Sequence, residues 1–430
     1  MRVTLVKPPE QTRMNFGTFS LQVLSSAVTD IAFVDILDAT NLSIGEAVVE
    51  ITKRNPDVTG ITVMGLKSVN PVCAFVKAIR QTGFKGQIVV GGHGASMLPH
   101  AILQSGTDVV VYGEGELTFR EILQSGISEK IQGIYLLRDG LLLKTTQRSF
   151  IDLDKLKEPA RNLSPPPQGN IYLLETSRGC PHSCSFCETS RFFSCTWRGK
   201  SPGKVVKDIH KLVNDGAMII QIADDNFTAN PERSIEICSL LKNESLPLFF
   251  LFSARSDDLT KNPKLIPALA KANFLRATIG VETVIPQIAK SIGKNISFKQ
   301  HIQTFESMKK ADIFTIASFI VGLPGETENM RKSYVELALK LADSATFLPF
   351  QPFPGTPMAK GAGEPEDWCV EYAAKLTREF SQHPESVERL ALAAKEATVR
   401  GMLSRASLQN RLTENILDDQ TGSNVAKILP

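Results

Sequence analysis

Long hydrophobic runs are missing from this sequence. The longest, such as LPLFFLF at 246–252, fall far short of the roughly 18 apolar residues that a membrane span requires. Charge of one sign is missing too. Lys and Arg number 48 against 45 Asp and Glu, for a formal net charge of +3 with no block of like charges. Nothing there argues for a nucleic-acid partner. The start, MRVTLVKPPE, has neither a long apolar core nor a small-residue cleavage site, so no secretory signal is expected. A disulfide framework is excluded because the seven cysteines are odd in number, with three crowded together and the rest at 73, 195, 238 and 369. What remains is the composition of a cytoplasmic enzyme with reduced thiols.

A chain of 430 residues exceeds one ordinary core and suggests two or three domains. Its first part alternates short β-branched runs (2–7, 32–36, 58–64, 87–90, 108–112) with amphipathic stretches such as NPVCAFVKAIRQTG at 70–83. Apolar strands joined by helices predict a parallel, doubly wound sheet. Two apolar runs around Asp139-Gly140 predict a hairpin over 131–146. The proline-rich stretch KEPARNLSPPPQGN at 157–170 reads as a linker. Strand candidates then resume at 171–176, 217–223, 247–253, 275–281, 314–321 and 345–350, six βα units that suggest a closed or partly closed barrel with functional loops at the strand ends. The prediction is an α/β chain. A Rossmann-like parallel-sheet domain (1–150) and a linker (151–170) precede a partial (β/α)6 TIM-type barrel (171–358) and a helical C-terminal region (359–430).

The cysteines Cys180, Cys184 and Cys187 stand in SRGCPHSCSFCETS, directly after the first barrel strand. A zinc site would need Cys195 or His182 as a fourth ligand, whereas structural zinc usually draws on paired Cys-x-x-Cys knuckles. Close thiolate spacing suits an iron–sulfur centre better. With three ligands, one coordination position stays open for chemistry. The C-x3-C-x2-C run, with Phe186 before its last cysteine, resembles the radical S-adenosylmethionine (SAM) superfamily. The resemblance implies a 4Fe–4S cluster on Cys180, Cys184 and Cys187, with SAM bound through its amino and carboxylate groups to the fourth iron. It further implies one-electron cleavage of SAM to a 5′-deoxyadenosyl radical.

Other strand ends fit that frame. Asp224 and Asp225 in ADDNFTANP would pair with the SAM amine, as carboxylates pair with ammonium groups. The alternative is a solvated turn capped by Asn226. Arg255 in FSARSDD would clamp the SAM carboxylate bidentately, with Ser253 adding a hydroxyl. Glu282 and Thr283 in TIGVET would face the ribose, and Gly322 in FIVGLPGET would let the backbone approach the adenine.

In the first domain, IVVGGHGASMLP and DVVVYGEGELTF end two strands with glycines, as at the ligand-binding edge of a parallel sheet. This set resembles the cobalamin-binding domain fused to one radical SAM subclass. Thr62, Gly91, Gly92, Gly113 and Glu114 would then surround the nucleotide tail of cobalamin. The loop after the first strand, KPPEQTRMNFG, has no histidine to ligate cobalt, and His93 and His100 fall in other loops. The cobalt would have no histidine beneath it, or the cofactor would be lost altogether.

The resemblance implies radical chemistry on a small-molecule substrate, foremost cobalamin-dependent C-methylation, with a flavodoxin or ferredoxin as electron donor. The alternative is a non-methylating oxidoreductase or cyclase similar to the anaerobic tetrapyrrole ring-forming enzymes. A methylthiotransferase is disfavoured, because its second cluster needs three N-terminal cysteines and only Cys73 is present. A non-catalytic sensor would not need Arg255, Glu282 and an open cluster site together.

Overall fold

The computed structural model describes residues 1–9, 17–244, 246, 248–359 and 365–399. The chain divides into two compact units, with the principal division between Pro166 and Pro167.

The first unit is built on a seven-stranded sheet. Its strands are β1 (Arg2–Lys7), β2 (Phe33–Asp38), β3 (Val58–Thr62), β4 (Gln87–Gly91), β5 (Val109–Val111), β6 (Ile134–Arg138) and β7 (Leu141–Lys144). They lie in the order β2-β1-β3-β4-β5-β6-β7. The first five are parallel and β6 and β7 return antiparallel. Alternation along β1 explains the layering: Val3 and Leu5 enter one core while Val6 enters the other, so helices cover both faces. The hairpin turn falls where expected, with Asp139 at φ 52° and Gly140 at φ 77°, as a two-residue turn of this type requires. The sheet order reverses between β1 and β3, so ligands are expected at the carboxyl ends there.

Residues 151–166, read as linker, pack into this unit. The Ala160 N–H donates to the Gln22 carbonyl at 2.9 Å, and the Ser164 hydroxyl meets that of Thr18 at 2.7 Å. Proline-rich composition marked a stretch with only short 3-10 turns, Leu153–Lys155 and Arg161–Leu163, and not a lack of contacts.

The second unit contains β8 (Ile171–Leu174), a two-stranded ribbon of β9 (Ser177–Gly179) and β10 (Trp197–Gly199), then β11 (Ile219–Ile222), β12 (Phe249–Ala254), β13 (Phe274–Glu282), β14 (Phe314–Val321) and β15 (Ser344–Pro349). Its main sheet runs β15-β14-β13-β12-β11-β8, all parallel. Strands β15 and β8 form its two edges, so the barrel is partial. Tyr172, Ile220, Phe252, Ile279, Ala317 and Phe347 point outward into one core under the helices. Full burial of an Ile or Phe among them contributes about 1.5–3 kcal/mol. Intervening positions such as Gln221, Ser253 and Thr278 are half-buried on the inner face. The helix Asp367–Gln382 adds Ala373, Leu376 and Phe380 to the same core. Among the described residues, no helix is long and apolar enough to cross a membrane.

Candidate active site

The β9–β10 ribbon holds the base of the cysteine loop, pairing Gly179 with Trp197 and Ser177 with Gly199. Cys180 and Cys187 are half-buried and Cys184 is buried. Burial pushes the Cys180 thiol up to about 11 and raises that of Cys187. Phe186 packs with Ile288, Ile292, Ile320 and Leu323, and the Ser185 N–H donates to the Ile292 carbonyl at 2.9 Å. The loop is therefore pinned to the barrel rim by its own intervening residues. Among the described residues, the only cluster of His, Cys, Asp and Glu ligand atoms lying within 4.8 Å of one another is His182, Asp257 and Asp258. The three cysteine sulfurs do not all lie within that distance of one another, and their all-thiol donor set fits an iron–sulfur cluster. Cys195 sits in the turn before β10, its N–H bonded to the Ser190 carbonyl at 2.6 Å.

Asp224 corrects an expectation. Its carboxylate is buried and accepts four hydrogen bonds: from the N–H groups of Thr176 and Ser177 at 2.7 and 2.9 Å, and from their hydroxyls at 2.5 and 2.6 Å. Burial raises its pKa against the pull of those four donors. It braces the entry to the cysteine loop and has no lone pair left for an ammonium group. Asp225 is exposed, accepting from Gly179 N–H and the Thr189 hydroxyl, both at 3.1 Å. The two neighbours thus tie down both flanks of the loop. Asn226 caps the following turn by accepting from Thr228 N–H at 3.1 Å, and donates to Asp258 at 2.8 Å.

Arg255 is buried at the end of β12, its bidentate face turned to Asp257. Nε reaches Oδ1 at 3.0 Å and Nη2 reaches Oδ2 at 3.2 Å, while Nη1 donates to Cys184 Sγ at 3.5 Å. The expected bidentate clamp on SAM is therefore replaced by one on Asp257, leaving two of five N–H donors. Burial works against the Asp257 carboxylate, yet Arg255 holds it below its usual range. Asp257 and Asp258 were not singled out by the sequence, and His182, which lies 3.7 Å from Asp258, was named there only as a possible fourth zinc ligand. Behind them, Ser256 bonds His301 Nδ1 at 2.8 Å, and burial pushes His301 down to about 3, with Lys294 adding to the effect.

Glu282 occupies a bulge at the end of β13, with φ 62°. Its carboxylate accepts from buried Lys294 at 2.7 Å and lies over Gly280, where a Cβ would stand 2.4 Å from Oε1. Ser253 is half-buried beside Thr278 on the inner face. Thr283 turns the other way: it is buried, and its hydroxyl meets that of Tyr334 at 3.1 Å. Its expected place at the ribose is corrected to a brace in the core. Tyr334 donates to Glu326 at 2.5 Å, and Glu326 accepts from Gly322 N–H at 2.6 Å. Gly322 (φ 93°) is small for another reason than the one expected. A Cβ there would stand 2.2 Å from Cys369 Sγ on the C-terminal helix, so the space belongs to the chain's own packing. Lys294, Glu326 and Tyr334 were missed; only Glu326, four residues past Gly322 in GLPGET, left a local signal.

At the carboxyl edge of the first sheet, Thr62 is half-buried at the end of β3. Gly91 is open, since an added Cβ would touch Val111 at an ordinary 3.6 Å, and Gly113 has nothing within 4 Å of that position. Gly92 differs. At φ 108°, its Cβ would lie 2.6 Å from the Val63 carbonyl oxygen, so it serves the β3–β4 junction and not a ligand's space. Glu114 accepts from Ile151 N–H at 2.8 Å. Most of the histidine-free loop (10–16) and much of the C-terminal region (360–364 and 400–430) lie outside the described residues.

Comparison with known proteins adds an independent line. Family models described as the radical SAM superfamily and the B12 binding domain match residues 174–338 and 16–123. The chain is 31% identical over 380 residues to an uncharacterized methyltransferase, PH0819, of Pyrococcus horikoshii, covering 83% of this chain and 82% of that one. It is 27% identical over 362 residues to an anaerobic magnesium-protoporphyrin IX monomethyl ester cyclase of Rubrivivax gelatinosus, covering 78% of this chain and 63% of that one. It thus spans less than two thirds of the cyclase. Among solved structures, the radical SAM methyltransferase TsrM of Kitasatospora setae, with cobalamin and a 4Fe–4S cluster bound, superposes with a TM-score of 0.71 at 18% identity, covering 83% of this chain and 74% of that one. The cobalamin-dependent SAM radical enzyme OxsB gives 0.66 at 20% identity, covering 88% and 56%. At those identities the likeness is one of fold.

Proposed function

This chain belongs to the radical SAM superfamily, in the branch that also carries a B12-binding domain, and from that premise we propose that it is a cobalamin-dependent methyltransferase acting on carbon in a small molecule. The observation that carries the reading is the cysteine loop itself: three free thiols on a loop braced at both flanks by Asp224 and Asp225. Cys180, Cys184 and Cys187 would hold the 4Fe–4S cluster. When bound, the cluster supplies an electron to SAM and cobalamin supplies a methyl carrier.

The remaining work falls to side chains. Arg255 holds a positive charge against Cys184 Sγ and keeps two donors for the SAM carboxylate. Glu282, set by Lys294, would orient the ribose hydroxyls, and Ser253 would add a hydroxyl below them. Phe186 seals the loop against Ile292 and Ile320 and so excludes water from one side of the site. Thr62, Gly91, Gly113 and Glu114 would border cobalamin at the first sheet's carboxyl edge. The electron would come from a flavodoxin or ferredoxin. Seven free cysteines and an oxygen-sensitive centre suit a cytoplasmic setting.

The identity to the ring-forming cyclase favours one second reading, in which the same radical chemistry runs without methyl transfer. Anaerobic reconstitution tests the shared premise. Wild-type protein should take up four irons per chain, on the expected cluster stoichiometry, and release 5′-deoxyadenosine from SAM. Alanine at Cys180, Cys184 or Cys187 should abolish both, and alanine at Cys195 neither. Loss of iron in Cys195→Ala would show four-cysteine ligation and refute the open position.

A further inference from the structure

The barrel interior carries a charge that the fold does not answer. Along β13, Ala277, Ile279 and Val281 are buried against the helices, so Arg276, Thr278 and Gly280 face inward. Arg276 Nη2 donates to Gln221 Oε1 at 3.0 Å. Gln221 is itself fixed, donating from Nε2 to the Ile222 carbonyl at 3.1 Å, so it offers Arg276 an oxygen. Arg276 Nε is sealed from solvent and has no hydrogen-bond partner among the described residues. No acidic side chain among them pairs with the guanidinium. Burial brings its pKa down to about 10, which still leaves it charged at neutral pH.

A half-buried guanidinium with no carboxylate partner and a sealed, unsatisfied Nε destabilises a fold, and a methionine of similar length would fill the same space without that cost. Groups kept at such a cost are characteristic of binding sites. The rest of the interior is graded. Ser253 and Thr278 stand together one step nearer the rim. On the neighbouring wall, inward-facing Ile316 and Ile320 lead to Leu348, which pairs with Ile320 and is 48% exposed. Ile320 in turn packs with Phe186 of the cysteine loop. A cationic floor is thus joined to the rim by a wall of Ile316, Ile320 and Leu348 that Ser318 and its neighbour Thr346 interrupt midway. The six steps along the strand from Arg276 to Glu282 span ~20 Å at about 3.3 Å per residue.

Resting on the radical SAM reading of the rim, we propose that the barrel interior binds the substrate, and that the substrate is an extended amphiphilic anion. Its carboxylate or phosphate end is held by Arg276 with Gln221, and its apolar stretch lies along Ile316, Ile320 and Leu348 towards the cysteine loop. Arg276 is then the residue that decides which small molecules enter.

The test is calorimetric titration of the reconstituted full chain with octanoate, octyl phosphate and octanol as probes. At least one anion should bind tenfold or more tightly than octanol, and the stronger of the two identifies the carboxylate or phosphate class. Arg276→Met and Arg276→Gln should each lose that preference, with at least a tenfold fall in anion affinity, while the melting temperature of Arg276→Met rises. Equal binding of octanol, or unchanged anion affinity in a variant that melts lower, would overturn the proposal and make Arg276 a structural residue. Release of 5′-deoxyadenosine by the wild-type protein is measured separately. Its absence would defeat the radical SAM reading, whereas release without anion preference would defeat only this one.

Discussion

Arg255 touches Cys184: Nη1 lies 3.5 Å from Sγ, while the same guanidinium grips Asp257 through Nε and Nη2. One residue thereby links the Cys184 thiol, proposed to hold the cluster, to the buried carboxylate of Asp257. A charged donor to a ligand sulfur favours the more negative, reduced cluster and raises its potential. Arg255→Met should lower the cluster's reduction potential by on the order of 60 mV, the one-electron equivalent of a tenfold change. Redox titration followed by electron paramagnetic resonance measures this. An unchanged potential would mean that the contact is absent in the loaded protein.

Asp224 accepts four hydrogen bonds, and an amide can accept only on its oxygen. Asp224→Asn should leave donors facing donors inside the protein, at a cost of at least ~2 kcal/mol. Urea unfolding of the reconstituted protein should show that loss, together with lower iron content. A smaller effect is expected for exposed Asp225→Asn. Full stability in Asp224→Asn, with impaired SAM binding alone, would restore the ligand role.

Gly322 and Cys369 share one space. Gly322→Ala places a methyl 2.2 Å from Cys369 Sγ at φ 93° and should destabilise by more than ~2 kcal/mol, combining overlap with backbone strain. Adding Cys369→Ala should recover the steric part and leave the strain. The double-mutant cycle reads the coupling directly; additive single effects would contradict it.

His301 makes a pH prediction. Burial sets its folded value at about 3 against 6.5, so the unfolded chain takes up a proton first as pH falls. Its contribution is fully present above pH 6.5 and is lost progressively down to about 3. Between pH 7 and 5 the loss should be about 2 kcal/mol. His301→Gln should flatten that part of the stability profile. The same slope in wild type and variant would assign it to other groups.

Much of this layout was legible in the residues. Strands were readable because apolar runs repeat between amphipathic helices, and both sheets lie where those runs predict. The β9–β10 ribbon was not, since three-residue strands such as Ser177–Gly179 have no periodicity. Strand ends drew attention to Asp224, Arg255, Glu282, Thr283 and Gly322. Position alone does not say which way a side chain turns: Thr283 turned into the core, and Gly322 made way for Cys369. Lys294 was invisible because its partner, Glu282, is chosen by a bulge that only the folded sheet creates.

Methyl transfer is tested most directly by supplying the reduced, reconstituted protein with SAM carrying a deuterated methyl group, with and without cobalamin loaded, and following both SAM products by mass spectrometry. A cobalamin-dependent methyltransferase should release 5′-deoxyadenosine and, only when cobalamin is present, S-adenosylhomocysteine that has given up the labelled methyl. Release of 5′-deoxyadenosine with no cobalamin-dependent S-adenosylhomocysteine would contradict methyl transfer and favour the ring-forming alternative.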